Sequence, residues 1–206
     1  MESILTSFRF LLVVVQLQNI LDEPTAGDIE DALDNLSRDL PEAFKDTINR
    51  IHRLSPSRVR LGMDTLMWIS HAERGLTVFE LGEILSVRPG RSNFSPRHVP
   101  SAKEIVECSQ GLVWVNPKTH EVTFIHSTIQ EFLKKNASQF FPKADADLGA
   151  SCLRYLMLKE FGDGPRADGL SIISLLVKYQ FLPYAASYWG ATRPEVGDQA
   201  RIPISR

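Results

Sequence analysis

The 206-residue chain has only two cysteines, Cys108 and Cys152, far apart in different segments. Two are too few for a disulfide framework, and without a CxxC pair they make no zinc site. They read as small buried residues of a protein kept in a reducing, cytoplasmic setting. No charge of one sign dominates: 23 Lys and Arg stand against 25 Asp and Glu, a formal net charge of −2. The bulk positive field that would draw a chain to nucleic acid or anionic lipid is therefore missing. The apolar stretch FRFLLVVVQL at 8–17 looks like the core of a signal peptide. But Glu2 spoils a basic start, Gln16 and Gln18 interrupt it, and LDEPTAGD replaces a small-residue cleavage site. It is also too short to span a bilayer, so it is expected to be a helix buried on most of its circumference.

Catalytic motifs are absent as well. There is no GxxxxGK followed by Ser or Thr, so a nucleoside triphosphate cannot be gripped by the usual phosphate loop. There is no GxSxG nucleophile elbow. His52, His71, His98, His120 and His126 lie in separate elements, without metal-ligand spacing. Asp28, Glu30 and Asp31 share a polar helix face and read as solvated charge. The chain is expected to be no enzyme, with no catalytic residue, no metal and no cofactor of its own.

What is present is ordinary globular composition, 43% hydrophobic and 23% charged, enough for a real core. Residues 1–56 read as a helical subdomain of three helices. The first covers about 3–21. The second, DIEDALDNL, places Ile29, Leu33 and Leu36 on one stripe. The third starts near Pro41, a residue favoured in a first turn, and repeats Phe44, Ile48, Ile51 and Leu54 at helical spacing. Ser55-Pro56-Ser57 breaks the pattern.

Residues 57–140 have a different grammar. A helix at about 58–72 carries Leu61, Thr65, Trp68 and Ile69. Thr77 with Glu80, and Ser101 with Glu104, are capping-box patterns, each opening a helix. The first carries Phe79, Leu81, Ile84 and Leu85; the second carries Ile105, Val106 and Cys108. Leu112–Val115 and Glu121–Ile125, about the turn Asn116–Thr119, make a hairpin. Ser127 with Gln130 is a third capping-box pattern. Three helices and a hairpin in that order predict a winged-helix domain. Residues 141–193 return to helices, with the loop FGDGPRADG between two of them. The aromatic stripe Phe181, Tyr184, Ala185 and Tyr188 reads as core. Residues 194–206 lack periodicity and are expected to be a disordered tail. The fold class is thus mainly α: helical subdomain, winged helix, trailing helices.

A winged helix raises the question of DNA. The usual reading helix, 101–110, offers Lys103 but also Glu104 and Glu107, and the wing turn adds only Lys118. Phosphate contact needs a cationic surface, and the basic cluster Arg88, Arg91 and Arg97 lies in the preceding loop instead. Protein packing is the favoured use. His126 stands out, because it precedes a helix whose N-terminal amides and dipole welcome an anion. Alternation puts it on one face with Val122 and Phe124, so it can equally close the core.

Four blocks in order carry a family resemblance: DIEDALDNLSRDLPEAFKDTINRI, LMWISHAERGLTVFELGEILSV, GLVWVN with VTFIHSTIQEFL, and FLPYAASYWG. They are similar to the region after the NACHT module of fungal STAND (NLR-like) signalling proteins. That region includes the part named the GPI inositol-deacylase winged helix domain, and ankyrin repeats often follow it. The resemblance implies a non-enzymatic regulatory module. It would pack on the nucleotide-binding NACHT module, in cis or in trans, and relay its state to a repeat domain. It further implies that His126 senses the phosphate of a bound nucleotide, only with a NACHT module present. ADP or ATP is implied for a full-length relative alone. The phosphate loop, the repeats and the lipase part of a deacylase are all missing, so the chain is expected to be a fragment or a truncated relative. The alternative is a stand-alone protein-interaction winged helix, and behind it a DNA-binding one. Neither membrane nor nucleic acid is an expected partner.

Overall fold

A computed structural model describes residues 24–34, 39–162 and 169–190, with Val13 and Leu17 as isolated helical positions. The described chain is mainly helical, with one small three-stranded antiparallel sheet. The rest of the expected 3–21 helix, Leu36, most of the FGDGPRADG loop and the 194–206 tail lie outside the described residues. Val13 and Leu17 are 56% and 48% exposed. The expectation of a helix buried on most sides is not met at these two positions. They lie one turn apart on a single face.

Helix α1, Ala26–Asp34, begins where Thr25 Oγ1 accepts the Asp28 amide at 3.2 Å. Helix α2, Leu40–Arg53, has Asp39 as N-cap, accepting the Glu42 amide at 3.0 Å, and Pro41 in its first turn. Its buried stripe of Ala43, Phe44, Thr47, Ile48 and Ile51 follows the 3.6-residue period. Each large apolar side chain so buried contributes about 1.5–3 kcal/mol. Helix α3, Pro56–His71, starts on its proline rather than two residues later, because φ of proline suits the first turn. Gly62 lets α3 approach the next layer: a Cβ there would lie 2.3 Å from the Cys108 carbonyl oxygen.

Strand β1, Leu76–Thr77, leads directly into α4, Val78–Ser86. The Thr77–Glu80 capping box forms as expected, with Glu80 reaching back to the Thr77 amide at 2.8 Å. Arg74 clamps the same carboxylate through two contacts of 2.5 and 3.2 Å. Helix α5, Ala102–Cys108, opens on the Ser101–Glu104 box. Strands β2, Val113–Val115, and β3, Glu121–Phe124, form the hairpin, with Val113 opposite Phe124 and Val115 opposite Val122. β1 pairs with the other edge of β3, giving the order β1-β3-β2. A two-residue strand inside a helix-start signal leaves no alternating pattern to read.

Helices α6, Ser127–Lys135, and α7, Ala137–Phe140, follow, and then α8, Ala144–Leu156. The described chain ends with α9, Gly169–Lys178, and α10, Leu182–Tyr188. One hydrophobic cluster runs without a break from Leu40 to Ala185. The aromatic stripe is core, as expected: Phe181, Tyr184 and Ala185 are fully buried. Trp68 of α3 meets Phe181 edge-on, with ring centres 5.5 Å apart, and Tyr155 of α8 meets Phe181 at 5.1 Å.

Helix α4 turns differently from its apolar pattern. Phe79 is 47% exposed, against the His120 ring, while Glu80 and Glu83 are buried. The reason is the hydrogen-bond demand of the neighbours. Glu83 Oε2 accepts the Tyr155 hydroxyl at 2.5 Å and the Phe181 amide at 3.0 Å, and its Oε1 accepts the Gln180 amide at 2.9 Å. Three donors from the trailing segment thus meet on one carboxylate. Burial, then this hydrogen bond and the charge of Glu83, push the Tyr155 hydroxyl far above the ordinary tyrosine range.

Among the described residues no helix is long and apolar enough to cross a membrane. Replacing Glu83 by Ala strands two buried donors and one part-buried donor and is expected to lower stability by ~3 kcal/mol. Tyr155→Phe removes one donor and should cost about half as much. Urea unfolding of the three proteins measures both, and equal midpoints would contradict the role given to Glu83.

Candidate functional site

The corner at His126 is built by the end of the sheet. Ile125 closes the ladder by donating its amide to the Leu112 carbonyl at 3.1 Å. His126 stays extended, with φ −155° and ψ 147°, and α6 starts immediately after it. Its Nδ1 accepts the Thr128 amide at 3.2 Å and lies 3.0 Å from the Thr128 hydroxyl. His126 is therefore the N-cap, and Ser127 is already the first helical residue. The expected Ser127–Gln130 box does not form, because an extended His126 puts a ring acceptor where a Ser or Asp oxygen usually sits. A ring nitrogen that accepts a backbone N–H carries no proton, so the neutral imidazole holds its hydrogen on Nε2. The Ile129 amide meanwhile bonds the His126 carbonyl at 3.2 Å. Two amides of the first turn are thus satisfied within the chain before any anion arrives.

Beside this corner lies a groove of about 370 Å³, lined among others by Arg74, Glu121, Phe124, Ser127 and Gln130. Gly75 lies on its floor against Glu121: a Cβ would fall 1.8 Å from a carboxylate oxygen of that side chain, which would have to swing aside. Arg74 is already committed to Glu80 and stacks over the Tyr184 ring at 5.1 Å. The Glu73 amide donates to the Tyr184 hydroxyl at 3.0 Å. The segment between α3 and β1 is consequently pinned to α10.

Helix α5 carries little free positive charge. Glu107 lies 3.6 Å from Lys103 and 3.5 Å from Arg58, and Glu104 is bonded to Ser101. At the hairpin turn, the Asn116 side chain accepts the Lys118 and Thr119 amides. The positive charge gathers elsewhere. Arg88 and Arg97, part of the basic loop cluster seen in the sequence, meet Arg58, Arg60 and His98 around a cavity of about 350 Å³. Arg91 shares a smaller recess with Arg88 and His98. Arg60 and Asp64 of α3 were not legible as site residues. They sit one turn apart on the polar side of a helix whose apolar side carried the pattern.

Both cysteines are free and buried, and burial pushes the Cys152 thiol up to about 11. Among the described residues no three His, Cys, Asp or Glu side chains converge as a metal site. Burial also raises the Asp64 carboxyl from 3.8 to about 6, against the pull of Arg60 and with a further push from Asp147. Between these values the folded chain holds a proton that the unfolded chain has released. Stability from this group therefore falls as pH rises through that window, and the cost is full above it. Asp64→Asn is expected to raise the melting temperature by about 2–4 °C near neutral pH and by much less near pH 4. Melting curves across that range check it, and a pH-independent shift would contradict it. Comparisons with protein-family models, curated proteins and solved structures find no match, so the functional reading rests on this geometry and on the sequence motifs.

Proposed function

We propose that this chain is a non-enzymatic winged-helix regulatory module, of the kind that packs on a NACHT-type nucleotide-binding domain and relays its state. The order α3-β1-α4-α5-β2-β3, with β3 central, supports the winged-helix part of the reading. The observation that supports the sensing part is the His126 cap. The Thr128 amide fixes the imidazole at the N-terminus of α6, the end of a helix at which a phosphate is welcome. The nucleotide itself must be held by another domain that has a phosphate loop. In this reading the chain works in the cytoplasm beside its NACHT partner.

A second reading, a stand-alone protein-interaction module, has its own support. Helix α9 exposes Ile173 at 60% and Val177 at 71%, together with Ile172 and Leu176. DNA binding is disfavoured at the reading helix, where Lys103 stands against Glu104 and Glu107, and Glu107 also lies 3.5 Å from Arg58 of α3.

The test pairs this chain with a separately expressed, ADP-loaded NACHT domain from a longer relative. The expected outcome is a complex that slows ADP release, with His126→Ala releasing ADP at least about tenfold faster. No complex, or ADP retention unchanged by His126→Ala, would remove the nucleotide-sensing reading. Binding to α9-directed protein partners alone would leave the second one standing.

A further inference from the structure

Most charged groups near the core have their partners inside the chain. Glu80 has Arg74 and Thr77, Glu83 has Tyr155 and two amides, and Arg58 has Glu107. The cavity between the start of α3, the end of α4 and the 3₁₀ turn Pro96–His98 breaks this rule. Arg60, Arg88 and Arg97 all line it, and among the described residues none has a carboxylate within 4.0 Å. Arg88 Nε is buried and has no hydrogen-bond acceptor among them. Burial, then the charges of Arg60 and Arg91, hold the Arg88 guanidinium below its usual range. Two carboxylates share the lining. Glu104 is engaged by the Ser101 amide and hydroxyl at 2.7 and 2.8 Å, which leaves Asp64 as the one acid free to answer the arginines.

A buried donor without an acceptor, inside a cluster of like charges, is a place where a bound anion would supply the partner. Guanidinium forks match tetrahedral phosphate oxygens through paired, charge-assisted hydrogen bonds. We propose that this cavity binds a phosphate-type polyanion, with Arg60, Arg88 and Arg97 as its donors. The volume of about 350 Å³ suits a compact group such as pyrophosphate or the phosphates of a small molecule. Asp64 is the internal competitor: it weakens the site by occupying the place of the ligand's charge. The site shares no lining residue with the His126 corner and needs no NACHT domain, so it stands or falls apart from the function proposed above.

Calorimetry on the purified chain, at constant ionic strength, tests it with inorganic phosphate, pyrophosphate, ADP and adenosine. Pyrophosphate is expected to bind with a Kd below about 1 mM and more tightly than phosphate, and adenosine not at all. ADP binding more tightly than pyrophosphate identifies a nucleotide as the source of the anion; the reverse order identifies a free polyphosphate. The exposed variants Arg60→Gln and Arg97→Gln, which leave the core untouched, should each weaken binding about tenfold or more, as should Arg88→Gln. Asp64→Asn should tighten it, which a merely structural aspartate would not do. His126→Ala should leave it unchanged. The proposal is overturned if no anion binds at about 10 mM. It is equally overturned if matched chloride has the same effect, if the Arg60 and Arg97 variants bind as well as the parent, or if His126→Ala abolishes binding.

Discussion

A single buried carboxylate joins the two halves of this fold. Glu83 sits on a nine-residue helix, too short to hold its shape alone in water. Its oxygens take the Tyr155 hydroxyl and the amides of Gln180 and Phe181, the residues at the start of the last helix. Burying a carboxylate is costly unless it is hydrogen-bonded, and here three donors reach it. Because those donors come from positions 72 to 98 residues further along the chain, the trailing segment cannot leave without exposing the cost. The aromatic contacts of Phe181 with Trp68 and Tyr155 then close around the joint.

The same joint sets the geometry of both candidate sites. Helix α4 is fastened at its start by the Glu80–Arg74–Thr77 cluster and near its end by Glu83. Arg88 follows the helix by two residues, so its place in the arginine-lined cavity is inherited from that anchoring. At the other end, β1 ties α4 to β3, and β3 ends at the His126 corner. The chain thus spends its buried polar groups on architecture. Arg60, Arg88 and Arg97, by contrast, have no carboxylate within 4.0 Å among the described residues.

The helices were legible because their signals are local. Pro41 sits in the first turn it marks, Thr77 and Ser101 each cap where a short polar side chain precedes an amphipathic run, and the hairpin follows its turn residues. The buried glutamates were not legible, since an acid on a helix reads as solvent-facing until its donors appear from distant sequence. Strand β1 escaped notice because two residues cannot show a period. His126 is visible in the sequence as a residue at a corner, but the capping-box pattern points to Ser127: an imidazole that caps leaves no compositional mark. The cavity was half visible. Its loop arginines stood out as a cluster, whereas Arg60 and Asp64 came from a helix whose polar face looked like ordinary surface.

Residues 39–162 and 169–190 are expected to behave as one cooperative body joined at Glu83, and native-state hydrogen exchange reads that directly. The amides of Gln180 and Phe181 should exchange only through the same global opening as the core amides of α3, with matching free energies and matching response to denaturant. If those two amides exchange through a separate, low-energy opening while α3 stays protected, the trailing helices form an independent unit and Glu83 is not the joint.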